Sequence, residues 1–81
     1  MAIVVVERQF SEPQVFEELQ AVEDAHAWCL ETNDVTFKRS YFSSDKKTMI
    51  CIYEGPDAEA VRRSQDEAGL PYQRIFAAIV I

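Results

Sequence analysis

The chain has 81 residues, 48% of them apolar and 27% charged, which is room for one ordinary globular domain and no second core. Its formal charge of −6 and pI near 4.6 argue against a nucleic-acid partner and against a peripheral site on an anionic membrane, since both need a basic face. A domain this short buries only about 60% of its unfolded surface, so each apolar run in it has to find cover.

The N-terminal run Ile3-Val4-Val5-Val6 is β-branched, and Ala2 to Arg8 is expected to form the first strand. It has no basic leader and is too short for a signal peptide, and Ile75 to Ile81 is too short to cross a bilayer, so a cytoplasmic home is expected. A helix should follow. Ser11 is placed as its N-cap, Gln14 as the capping-box partner, Pro13 lies in the first turn, and Phe10 with Val15 has the spacing of a hydrophobic staple. The helix is expected to run to about Glu31, burying a stripe of Val15, Leu19, Val22, His26 and Cys29 and leaving Glu17, Glu18, Glu23 and Asp24 in water. Asn33 is the expected left-handed stop.

Val35 to Phe42 alternates and reads as a half-buried edge strand, with Lys38 discouraging unwanted pairing. Ser43 to Lys47 is a polar hairpin connection, and Thr48 to Glu54 is the third strand. Asp57 caps a second helix, which Gly69 and Pro71 end; its buried stripe is thin, with Ala58, Val61 and Ala68 and with Gln65 between. Gln73 to Ile81 is the last strand. Two strand–helix–strand units joined by a hairpin make a β-α-β-β-α-β order, hence a ferredoxin-like α+β sandwich over residues 1–81. Its antiparallel sheet has four strands, with both helices on one face.

The other sheet face then lacks helices, yet three strands do not alternate. Ile3 to Val6, Met49 to Ile52, and Ile75, Phe76, Ile79, Val80 and Ile81 are apolar on both sides. Exposing that second face would leave an apolar patch of several hundred Å², more than a soluble monomer usually carries. A homodimer in which each sheet covers the other, the dimeric α+β barrel arrangement, removes the patch.

Chemistry-bearing residues are few. His26 is the only histidine and stands one helical turn before Cys29, so the two share a helix face and are a candidate pair of ligands for nickel or another divalent metal. The alternative is that His26 is a hydrogen-bonded structural or pocket-lining residue. Cys29 and Cys51 sit in apolar settings and read as buried thiols rather than a disulfide pair. A second cluster depends on strand register. If Tyr41 pairs with Met49, then Arg39 opposes Cys51 and Phe37 opposes Tyr53, and Arg39, Tyr41, Cys51 and Tyr53 share a face as a ligand pocket. Arg39 among aromatics needs a partner, either Glu7 or Glu54 or an anionic ligand. There is no Gly-rich phosphate loop, CxxC, HExxH or GxSxG.

The string Val6-Glu7-Arg8 followed by Phe10, then Arg39-Ser40-Tyr41, then Cys51-Ile52-Tyr53-Glu54-Gly55-Pro56-Asp57-Ala58-Glu59-Ala60-Val61-Arg62, and finally Ala68-Gly69-Leu70-Pro71 span most of the chain. Together they resemble the small ferredoxin-like, nickel-binding-protein-like family, a domain family of unknown function. The resemblance implies a ferredoxin-like dimer and a capacity to bind nickel in at least one member. The leading expectation is therefore a small non-catalytic binding protein for a divalent metal such as nickel. A small-molecule-binding or enzymatic dimeric α+β barrel with a pocket near Arg39, Tyr41 and Tyr53 is one alternative, and an interaction module without ligand is another.

Overall fold

The computed structural model describes residues 1–81. Strand β1 (Ala2–Gln9) alternates as its sequence conceals: Val4, Val6 and Arg8 are buried, while Ile3, Val5 and Glu7 are half-exposed on the other side. Strand β3 (Thr48–Gly55) does the same, burying Met49, Cys51, Tyr53 and Gly55. β1 lies at the centre, antiparallel to β3 with Val6 opposite Cys51, and antiparallel to β4 (Arg74–Ala78) with Val6 opposite Ile75. With β2 (Thr36–Phe42) outside β3, the strand order is β2-β3-β1-β4, the ferredoxin-like arrangement.

One face carries all the helices. The core there is Val4, Val6, Val35, Met49, Cys51, Tyr53, Ala60 and Val61. Each aliphatic side chain fully buried in it contributes about 1.5–3 kcal/mol. Helix α3 (Ala58–Ala68) covers this face most closely. Asp57 caps it, its Oδ1 accepting from the Ala60 N–H at 2.8 Å, and Gly69 ends it in the left-handed region at φ 69°. Its buried side is wider than the sequence suggests, because Ala60 and Ser64 join Val61, Gln65 and Ala68, while Ala58 at its start is only half-buried. Gly55 lets β3 run close under this helix: a Cβ there would stand 3.2 Å from Val35 Cγ2, a tight contact, and 3.5 Å from Val61 Cγ2, an ordinary one.

The first helix departs from expectation. It starts at Phe16, not after Ser11, because the preceding segment is tied to the β2–β3 connection. The Phe10 and Gln14 amides donate to the carbonyls of Lys47 and Lys46 at 2.8 and 2.9 Å. The Gln14 side chain turns to the Glu12 carbonyl instead of closing a capping box. The helix also breaks in two, α1 (Phe16–Ala25) and α2 (Ala27–Thr32), at His26 with φ −116° and ψ 22°. His26 Nδ1 lies 2.9 Å from the Val22 carbonyl, the acceptor that the His26 amide would otherwise use, and that amide bonds the Glu23 carbonyl instead. Val15 and Val22 consequently face solvent, and α1 buries no residue. Asp34, at φ 59°, is the left-handed residue after α2, with Asn33 one position earlier donating its side-chain amide to the Cys29 carbonyl.

Two strand ends also shift. β4 stops at Ala78, since Ala78 already pairs with Ile3 and β1 has almost no further residues to offer. Ile79, Val80 and Ile81 run on past the sheet, at least 84% exposed. In β2 a bulge falls between Phe37 and Arg39. No helix is long and apolar enough to cross a membrane.

Candidate functional site

The bulge decides the site geometry. Phe37 pairs with Tyr53 as expected, but the extra residue, Lys38, then moves Arg39 opposite Ile52 and Tyr41 opposite Ile50. A shift of one residue turns a side chain to the other sheet face. Arg39 and Tyr41 therefore stand on the helix-free face, whereas Cys51 and Tyr53 are buried beneath the helices. The expected four-residue pocket is divided by the sheet itself. Glu7 and Glu54 are on the open face but are taken by other partners: Glu7 Oε1 is 3.3 Å from Arg74 Nε, and Glu54 Oε1 is 3.5 Å from Lys38 Nζ.

What remains on that face is a groove of about 640 Å³, floored by Ile3, Val5, Ile52 and Ala78 and edged by Arg39, Tyr41, the Lys38–Glu54 pair, Ile79 and Val80. Its volume is in the range of sites that hold small molecules, about 300–1,000 Å³. Arg39 enters none of the chain's ion pairs.

Behind the sheet lies a centre that sequence reading passed over. Arg8 is 2% exposed, and its guanidinium donates to the Pro71 carbonyl at 2.7 Å, to Gln65 Oε1 at 2.6 Å and to Tyr53 Oη at 3.2 Å. Glu23 approaches the same guanidinium at 3.7 Å, although its helical position was expected to be in water. Burial raises the Glu23 carboxyl above its usual range despite the attraction of Arg8. Burial, then the nearby Glu23 charge, pushes the Tyr53 hydroxyl up as well, and burial pushes up the Cys51 thiol. The signal was present in parity: Arg8 continues the inward series Val4, Val6, and Gln65 interrupts an apolar helical stripe.

His26, Cys29 and Glu23 line one cavity of about 20 Å³ beside this centre, together with Tyr53, Ser64 and Gln65. That is room for about one water molecule. Nδ1 donates to the Val22 carbonyl, which leaves the lone pair of His26 Nε2 as the ring's group able to ligate a metal. Burial, and then the Glu67 charge, raises the Cys29 thiol, so the thiolate that a metal needs is disfavoured at rest. No three His, Cys, Asp or Glu side chains converge as a metal cluster. Imidazole and thiol suit nickel or zinc in kind, but one chain does not supply them in number, so these residues do not form a closed metal site.

A family model described as "Nickel responsive protein SCO4226-like" matches residues 5–77 of the chain. Among solved structures, the crystal structure of SCO4226 from Streptomyces coelicolor A3(2) is similar, with a TM-score of 0.85 and 22% sequence identity over 99% of this chain and 99% of that one. At that identity the likeness speaks for the fold. No curated protein matches the chain.

Proposed function

We propose, since the chain belongs to the SCO4226-like family of nickel responsive proteins, that it is a small non-catalytic binding protein working as a homodimer through its open sheet face. The observation that carries this reading is the face itself. Ile3, Val5, Ile50, Ile52 and Phe76 point away from every helix, and all the helices cover the opposite side. A second copy, related by a two-fold axis, offers the same apolar surface in return. A stable interface buries about 1,200–2,000 Å² in total, and a four-stranded sheet is broad enough to supply it. The mass of the particle in solution tests the dimer.

Binding rather than catalysis is supported by the state of the nucleophiles. Both thiols are buried and held protonated, and Tyr53 is further from ionising than a free tyrosine. A cytoplasmic setting suits two free cysteines in a chain of this size.

For the metal, the reading is that His26 and Cys29 contribute two donors for nickel or another divalent ion and that the remaining donors come from outside the protomer. It rests on the family description and on His26, Cys29 and Glu23 sharing one cavity. Calorimetric titration of nickel into the wild type beside His26→Ala is the test. Loss of one of two protein donors should weaken binding by about tenfold or more. Equal affinity in the two proteins would remove His26 from the site.

A further inference from the structure

We propose that the open-face groove binds a small organic anion, a carboxylate carried on an apolar body, with Arg39 taking the carboxylate. The charges on that face do not cancel. Three cations edge it, Lys38, Arg39 and Arg74, against two carboxylates, Glu7 and Glu54. Both carboxylates are occupied, Glu54 by Lys38 at 3.5 Å and Glu7 by Arg74 at 3.3 Å. Arg39 is left over. On a chain of net charge −6, Arg39 is a cation without an acidic partner that also stands over an apolar floor of Ile3, Val5, Ile52 and Ala78.

The bulge at Lys38 makes this arrangement. Without it Arg39 would turn behind the sheet, where Arg8 already uses the buried acceptors. With it, Arg39 lines the groove together with Tyr41, a residue 58% exposed whose hydroxyl offers a second donor. A planar guanidinium receives a carboxylate through two parallel N–H donors. The long-range field of an acidic chain repels anions, so affinity has to come from contact with Arg39 together with burial of the apolar body. A neutral apolar molecule would leave Arg39 unanswered, and a small inorganic anion would leave the floor bare.

This inference deepens the dimer reading, because a second sheet placed over the face would enclose the groove and would otherwise bury Arg39 without a counter-charge. Sodium octanoate and 1-octanol, which share a body and differ in charge, are the probes for calorimetry with the wild type, Arg39→Gln and Arg39→Lys. Arg39 is exposed, so these variants should keep the far-ultraviolet circular dichroism of the wild type. Octanoate is expected to bind once per protomer, with octanol and Arg39→Gln each weaker by about tenfold or more and Arg39→Lys in between. No saturable octanoate binding overturns the proposal. So does octanol binding as tightly as octanoate, or an unchanged affinity in Arg39→Gln. Sedimentation of the same samples separates the two readings. A dimer that takes no octanoate overturns the anion site alone, and a monomer that takes it upholds the anion site and removes the dimer.

Discussion

The two faces of the sheet each hold an arginine, and the fold treats them in opposite ways. Arg8 lies behind the sheet at 2% exposure, with donors committed to Pro71, Gln65 and Tyr53 and with Glu23 as counter-charge. Arg39 stands on the open face with no acidic partner of its own. The helix-covered face is closed and internally satisfied, with no buried side-chain polar atom lacking a hydrogen bond. The open face combines apolar floor and unanswered charge. A buried cation with its acceptors filled is a structural element, whereas an exposed cation over an apolar surface keeps its donors available to a group from outside the chain.

Substituting each arginine with Met separates the two faces most sharply. Arg8→Met strands Gln65 Oε1, the Pro71 carbonyl and the Glu23 carboxylate at once, and should cost about 3–5 kcal/mol in urea denaturation. Arg39→Met should change the stability of the single chain by no more than about 0.5 kcal/mol. Equal losses in the two variants would mean that the faces do not differ as described.

A smaller effect should appear with pH. The Glu23 carboxyl is raised in the folded chain, mainly by burial, so the folded state holds its proton more tightly than the unfolded state does. Its contribution to stability is complete below the ordinary carboxylate value and is lost as pH rises through the raised one. Glu23→Gln should thus be as stable as the wild type or slightly more so at pH 7, by under about 1 kcal/mol. That difference should vanish near pH 4. Urea midpoints at both values check it, and a variant clearly less stable at pH 7 would show that the attraction of Arg8 outweighs burial.

Most of the fold was legible because its signals are local. β-Branched runs marked β1 and β3, Asp57 and Gly69 marked the ends of α3, and the order of elements fixed the ferredoxin-like topology. The misreadings have non-local causes. Ser11, Pro13 and Gln14 form a sound helix-start pattern, but the backbone there is claimed by Lys46 and Lys47, distant in sequence. The break at His26 comes from a side chain competing for one carbonyl, which no periodicity records. The ligand pocket placed around Arg39, Tyr41, Cys51 and Tyr53 failed on a single bulge, since alternation cannot show an inserted residue in a strand. The Arg8 centre was missed because an inward arginine is visible only when the parity of β1 is followed past its apolar run.

The proposed role of the open face is to join two copies of this chain. Sedimentation equilibrium of the wild type beside Ile52→Lys tests it most directly, because Ile52 sits on that face and away from the core. The wild type should sediment at twice its 9.3 kDa chain mass, and the variant should fall to a folded single chain with the circular dichroism of the wild type. A folded wild type at one chain mass across the concentration range, or a variant that stays dimeric, would contradict the account.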